Sequence, residues 1–233
     1  PVVSFAALKL RANFGVIVSA SHNPRAYNAF KIIDAKANQI GWRQGLKKIA
    51  EFLSESHKGD KGNKGGKGSV QTERIVPLYV SALVRRFRGR IRPLRIAIDY
   101  GNGVGAITAG RAFRALGIRT KPLLAKPDGR FPVHDPNPHD PKNFRGLEHE
   151  LKKGGYDLGI FFDGDADRAV FFDHRGRYVR PDVVAGILAL DLLRHHPGAE
   201  IYHDLRFSRA VVEGIQKAGG RTRAMPVGVM LEK

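Results

Sequence analysis

Leu158-Gly159-Ile160-Phe161-Phe162-Asp163-Gly164-Asp165-Ala166-Asp167-Arg168 is the stretch on which the reading of this chain turns. Residues 158–162 have the length and composition of a buried strand. The run ends in three carboxylates spaced two apart, with an arginine directly after them. Gly164 and Ala166 are small, so the backbone can turn tightly and the carboxylates can converge. Three adjacent negative charges repel unless something positive lies between them. Oxygen-only ligands select a hard cation, magnesium first, then manganese or calcium. An acidic turn bathed in water is the plainer alternative, and the segment alone leaves it open. Two look-alikes fail. An EF-hand loop needs Gly at its sixth position and Glu at its twelfth, where this chain has Arg168 and His174. A phosphatase loop of the Asp-x-Asp-x-Thr kind needs Thr or Val where Asp167 stands. Arg168 is left to face an anionic ligand.

The chain has 233 residues and is 42% hydrophobic, which suits one large or two ordinary folded domains. No apolar run approaches the roughly 18 residues of a membrane span, so no membrane partner is expected. Cysteine is absent, which removes disulfides and thiolate metal sites and fits a reducing, cytoplasmic setting. The first residue is Pro1 rather than Met, which leaves room for a preceding segment. The net charge of +18 points to phosphorylated or polyanionic partners. A non-catalytic basic protein that binds nucleic acid is the rival class. Against it, the cations are spread along the chain, and no helix-turn-helix, zinc-finger or RNP pattern is present. Only 57–69 concentrates them, with four lysines and five glycines, and it reads as a flexible linker. That linker misses the P-loop pattern, because Gly68 replaces the required Ser or Thr.

Periodicity predicts alternating elements. Residues 1–10 read as a helix, 15–19 and 27–33 as strands, and 41–53 as a helix whose apolar face packs in a core. Helices are expected at 77–87, up to 116 and at 144–153. Strands are expected at 94–99, 119–124 and 158–162, with 169–172 pairing after the acidic turn. Gly117 closes one helix. The segment 134–141, rich in Pro, Asp and His, reads as a loop. The pattern then restarts with a helix at 182–195, a strand at 200–204, a helix at 208–218 and a strand at 221–225. Asp182 is expected at the N-cap or first turn of its helix. Strand, Asp, helix, Gly and strand recur from Leu94 and from Glu200, a weak internal repeat. The fold class is therefore α/β, in successive similar mixed-sheet domains, the first and last incomplete.

Two further loops carry chemistry. Gly101-x-Gly103-x-x-Ala106 between a strand and a helix resembles a dinucleotide fingerprint. A nicotinamide enzyme would want a carboxylate ending the next strand, and none precedes Asp128. A tight strand-to-helix turn explains the glycines more simply. Ser21, beside His22 and Asn23 at a strand end, could be a nucleophile or phosphoryl carrier if a base and a metal are near. A Ser-type turn into Pro24 is the plainer reading. Lys31 could serve as an acid or base if partly desolvated.

Taken together, these segments are more specific. Gly15-Val16-Ile17-Val18-Ser19-Ala20-Ser21-His22-Asn23-Pro24-x-x-Tyr27-Asn28-x-Phe30-Lys31 resembles the phosphoserine loop of the α-D-phosphohexomutases. Asp163-Gly164-Asp165-Ala166-Asp167-Arg168 resembles that family's metal loop. Asp99-x-Gly101-Asn102-Gly103 and Asp128-Gly129-x-Phe131-Pro132-x-His134-x-Pro136-x-Pro138 resemble its second domain. The likeness is greatest to the bacterial phosphomannomutase/phosphoglucomutase branch.

The resemblance implies that Ser21 carries a phosphoryl group and that Mg2+ is held by Ser21, Asp163, Asp165 and Asp167. It implies Ser21, His22 and Lys31 as catalytic residues, with Lys31 the general acid/base, and Arg168, Asn23 and Asn28 on the substrate side. The implied reaction interconverts hexose 6-phosphate and hexose 1-phosphate, of mannose or glucose, with glucose 1,6-bisphosphate or a similar sugar as activator. The implied partition is 1–56, the C-terminal part of domain I; 57–69, a linker; 70–178, domain II; and 179–233, the N-terminal part of domain III. Oligomeric state is not implied.

Departures accompany the likeness. The chain supplies about half the family's length. The catalytic arginine strand, the sugar-recognition motif and the fourth domain are absent from it. Residues 226–229 align with a family K-T-G-H segment but lack the Lys and His. Ala29 and Ser19 are mild replacements of Gly and Thr. Efficient turnover by this polypeptide alone is not expected.

Overall fold

The computed structural model describes residues 1–56 and 68–226. The expected linker at 57–69, but for its last two residues, lies outside these, as do 227–229.

Helix α1 (Val2–Leu10) lies on an antiparallel pair, β1 (Phe14–Val18) and β2 (Phe30–Asp34), with Val16 opposite Ile32. Their contact depends on Gly15. A Cβ there would come within 2.8 Å of Ile33 Cγ1 and 3.1 Å of Val3 Cγ1. The strand expected from Tyr27 begins only at Phe30. Residues 24–27 close a turn instead, with the Tyr27 N–H donating to the Pro24 carbonyl at 2.9 Å.

The region 41–53 corrects a second expectation. Trp42–Leu46 forms a single wide turn with non-helical backbone at Gly45, and α2 (Lys47–Ser56) follows. The apolar face is not core, since Trp42 and Phe52 are 60% and 71% exposed. Spacing marks a face able to bury, but burial needs an element opposite it. Among the described elements, α2 packs mainly on the turn that precedes it.

The central unit comprises α3 (Ile75–Phe87), β3 (Arg95–Asp99), α4 (Gly105–Ala115), β4 (Arg119–Leu123), α5 (Arg145–Lys152), β5 (Leu158–Phe162), β6 (Ala169–Asp173) and β7 (Tyr178–Val179). The helix expected over 144–153 enters through a 3-10 turn, Pro141–Phe144, capped by the Asp140 carboxylate. The sheet order is β4-β3-β5-β6-β7. β3 runs parallel to β4 and β5, whereas β6 is antiparallel to β5 and β7. Phe144, Leu147, Leu151, Phe161 and Phe172 pack one face, and Ile96, Ile98, Tyr100, Ile118 and Ile160 the other. Covering both faces explains why 158–162 is apolar without alternation. Parallel β3 and β5 end on one edge, so Asp99 and Asp163 emerge together there, the usual place for ligand chemistry in such sheets.

The last unit comprises α6 (Pro181–His195), β8 (Glu200–Asp204), α7 (Arg209–Lys217) and β9 (Arg221–Met225), with β8 parallel to β9. Asp182 is the second residue of α6. Its carboxylate accepts from the Ser208 N–H at 3.0 Å, so it caps the start of α7 rather than its own helix. The repeat is visible in the backbone. Asp99 Oδ1 accepts from the Gly101 N–H and Asp204 Oδ1 from the Arg206 N–H, both at 2.8 Å.

Candidate functional site

Three loops converge at the edge where β3 and β5 end. The acidic turn runs from Asp163 to Arg168. Ala166 adopts φ 54, a left-handed conformation that costs a non-glycine residue about 1 kcal/mol. Gly164 is needed for space. A Cβ there would lie 2.6 Å from the Ser21 carbonyl oxygen and 3.3 Å from Pro136 Cγ. Gly103 is pressed in the same way, its missing Cβ 2.5 Å from the Gly164 carbonyl oxygen. Close packing on the acidic turn thus accounts for Gly103, and the dinucleotide reading loses its support.

Ser21 meets Asp163 across 142 residues of sequence, its Oγ donating to Asp163 Oδ2 at 2.8 Å. Ser21 also has a left-handed backbone, φ 56, and its N–H donates to Ser19 Oγ at 2.9 Å. Ser19 Oγ in turn donates to Asp165 Oδ2 at 2.8 Å. Lys31 projects from β2, with Nζ 2.7 Å from Asp165 Oδ2 and 2.6 Å from Asp167 Oδ2. Arg168 folds back over the turn. Its backbone N–H and Nε donate to Asp163 at 3.1 and 2.9 Å, and Nη2 reaches both Ser21 Oγ and His22 Nδ1.

Burial and charge set the electrostatics. Asp163 is fully buried, and desolvation pushes its carboxyl above the usual range despite hydrogen bonds from Ser21 and Arg168. Burial also opposes ionisation of Asp165, but Lys31 and Ser19 outweigh it and hold that carboxyl low. Burial likewise works against the Lys31 ammonium, and the two carboxylates more than restore it. His22 is driven below its ordinary value by burial and by Arg168 and His139, so it stays neutral and accepts from Arg168.

Asp163, Asp165 and Asp167 each offer an oxygen, all within 4.8 Å of one another. Asp165 Oδ1 is buried without a hydrogen-bond partner among the described residues. An orphaned buried carboxylate oxygen is costly, and a bound cation would satisfy it. The donor set is all oxygen, so the residues fit a hard divalent ion.

The structure brings together Ser21, His22, Lys31, Asp163, Asp165, Asp167 and Arg168. It does not bring in Asn23 or Asn28. Both are exposed, and Asn28 Oδ1 accepts from the N–H of Ala29 at 3.0 Å, a local turn contact. One residue was missed. His139, from the loop between β4 and α5, places Nε2 3.4 Å from Arg168 Nη1 and its ring 5.5 Å from His22. The only signal in the sequence was the concentration of His, Asp and Pro in that loop.

A hydroxyl hydrogen-bonded into a carboxylate triad, ringed by guanidinium, ammonium and imidazole groups at a strand-end edge, defines an α/β protein equipped to handle phosphoryl groups. The comparisons narrow that class. Residues 1–59 match the family model for phosphoglucomutase/phosphomannomutase α/β/α domain I, and 77–176 match domain II. The chain belongs to the phosphoglucomutase/phosphomannomutase family. It is 36% identical over 221 residues to a phosphoglucomutase of Neisseria meningitidis serogroup B, covering 95% of this chain and 47% of that protein. It is 34% identical over 233 residues to a phosphomannomutase/phosphoglucomutase of Pseudomonas aeruginosa, covering 100% of this chain and 49% of that protein. A crystal structure of a family member from Burkholderia thailandensis superposes with a TM-score of 0.85 at 30% identity, covering 94% of this chain and 46% of that one. An Aspergillus fumigatus N-acetylphosphoglucosamine mutase, solved with GlcNAc-6P and magnesium, shares the fold at 17% identity and TM-score 0.63, covering 98% of this chain and 60% of that one. The chain spans about half the length of the curated relatives it matches.

Proposed function

We propose that this chain carries the phosphoserine and metal half of a phosphohexomutase, with hexose 6-phosphates and 1-phosphates of mannose or glucose as substrates. One observation carries the reading. Ser21 Oγ is hydrogen-bonded to Asp163, and Asp163, Asp165 and Asp167 present oxygens within 4.8 Å of one another. We read 1–56 as part of domain I, 70–178 as domain II and 179–233 as part of domain III, consistent with the spans of the two family matches.

Asp163, Asp165 and Asp167 are the residues that would hold the cation, with magnesium the choice that oxygen ligands and family favour. Bound there, it supplies positive charge against the oxygens of a transferring phosphoryl group. The chain's own residues do the rest. Ser21 Oγ carries the phosphoryl group. Transfer breaks its O–P bond and forms one to a sugar hydroxyl; the hydroxyl proton leaves to a base, and Ser21 Oγ takes up a proton to become the free hydroxyl. The reverse transfer, from the other end of a bisphosphorylated sugar, restores the phosphoserine. Arg168 donates at Ser21 Oγ and so offsets charge where the O–P bond breaks. Lys31 is held as an ammonium 2.7 and 2.6 Å from the Asp165 and Asp167 carboxylates and places a positive charge beside the acidic turn. Neutral His22 anchors the second edge of the guanidinium. No described helix is long and apolar enough to cross a membrane.

Incubation with glucose 1,6-bisphosphate and magnesium should add one phosphate to the intact mass. Ser21→Ala should remove that label. A label that persists in the variant refutes the assignment.

A further inference from the structure

We propose that His139 is a positioning residue of the phosphoryl site, holding the Arg168 guanidinium and, through it, His22 and Ser21. The proposal rests on the mutase reading for its consequence but not for its geometry.

Arg168 has more to hold than Asp163 can fix. Its Nε and backbone N–H bind Asp163 and Nη2 lies 2.8 Å from Asp163 Oδ2, so the Nε–Nη2 edge of the guanidinium is pinned to the acidic turn while Nη1 is not. Nη2 serves both Ser21 Oγ and His22 Nδ1. Nη1 faces outward, and there His139 Nε2 meets it at 3.4 Å. His139 also lies edge-to-face with His22, ring centroids 5.5 Å apart at 73°. The two imidazoles therefore bracket one guanidinium, each using an unprotonated nitrogen toward it.

A residue can position another only if it is itself held. The His139 N–H donates to Asn137 Oδ1 at 2.9 Å, and Asn143 Nδ2 donates to the Asn137 carbonyl at 2.9 Å. Pro136 and Pro138 are buried, and Pro136 packs where a Gly164 side chain would be. The loop is thus keyed to the acidic turn, and the histidine at its tip arrives at a fixed height. The plainer reading is an exposed histidine near an arginine by chance. Contact with both His22 and Arg168, from a loop braced by two prolines and an asparagine, argues against it.

The consequence concerns Nη2. Without His139 the guanidinium plane can tilt about its Nε–Nη2 edge, and the N–H direction of the donor aimed at Ser21 Oγ tilts with it. A hydrogen bond to a charged group supports an effect of roughly tenfold on phosphoryl transfer.

Two measurements on the whole chain test this. The rate of Ser21 labelling by glucose 1,6-bisphosphate with magnesium should fall roughly tenfold in His139→Ala. His139→Gln, whose side-chain oxygen can still accept from Nη1, should recover most of that rate. Side-chain 15N shifts, read without any ligand, should show His22 with Nδ1 unprotonated in the wild type. In His139→Ala they should show a mixture of His22 tautomers. Wild-type labelling and an unchanged His22 spectrum in His139→Ala overturn the proposal. A glutamine variant as slow as the alanine one, with an equal loss of melting temperature in both, also overturns it in favour of a purely structural role. If the wild type does not label at all, the mutase reading fails, and the His22 spectrum still decides this one.

Discussion

Replacing Gly103 with alanine tests whether the fold holds the site through backbone packing. The new Cβ would sit 2.5 Å from the Gly164 carbonyl oxygen and 3.0 Å from its carbonyl carbon and Cα. Gly103 does not have a left-handed φ, so the substitution adds bulk without changing backbone preference. Its neighbour is backbone and cannot rotate away. Ordinary contact begins near 3.4 Å, so the acidic turn must retreat by roughly 0.5–1 Å. Such overpacking costs about 1–3 kcal/mol. The retreat also stretches the bond from the Val104 N–H to the Gly164 carbonyl, now 3.0 Å, a further loss of about 1 kcal/mol. A total of about 2–4 kcal/mol lowers Tm by roughly 5–15 °C in a chain of this size. Asp163 and Asp165 flank the displaced residue, so Ser21 labelling should fall on the order of 100-fold. Calorimetry and intact-mass kinetics read the two effects. Gly146→Ala supplies the control. Gly146 lies exposed in α5, and a methyl group there would meet nothing within 4 Å among the described residues, so alanine should stabilise by about 0.5–1 kcal/mol. A Gly103→Ala protein that melts and labels like the wild type refutes the packing argument.

Three other outcomes follow from the geometry. Magnesium should raise the wild-type Tm, and Asp165→Asn should abolish that rise, because it removes a carboxylate with an orphaned buried oxygen; a full magnesium response in the variant would sink the ligand assignment. His134 lies against Asp99, Nε2 to Oδ2 at 3.2 Å, and although burial opposes its charge, Asp99 and the Asp135 carbonyl raise its pKa above 6.5. The pair's contribution is fully present below pH 6.5 and lost as pH rises through the folded-state value, so Tm should decline over that window and the decline should flatten in His134→Gln. Leu151 is fully buried against the sheet, and Leu151→Ala should cost about 2–5 kcal/mol by denaturant titration while the magnesium response persists.

Much of the fold was legible because its signals are local. The apolar run 158–162 and the acids after it announced a strand and its turn, and β5 spans Leu158–Phe162. Gly117, expected to close a helix, has φ 77 just after α4. Where a signal needed a distant partner, local reading fell short. The apolar spacing at 41–53 suggested a core face that Trp42 and Phe52 leave exposed. Gly101 and Gly103 looked like a nucleotide turn, because nothing in their own neighbourhood reveals that Pro136 and Gly164 press on them.

The same division applies to the site. Spacing alone brought Asp163, Asp165 and Asp167 together, since alternate residues of one tight turn have few ways to stay apart. Order of motifs and their likeness to a family linked that turn to Ser21 and Lys31. Only the packed structure decided how Arg168 is shared between Asp163, Ser21 and His22, that Lys31 spans two carboxylates, that Asn23 and Asn28 stay outside, and that His139 enters. Those outcomes depend on where three loops meet in space. Local patterns carry strands, turns and charge, whereas the meeting point is set by sheet order and by glycines that let backbones touch.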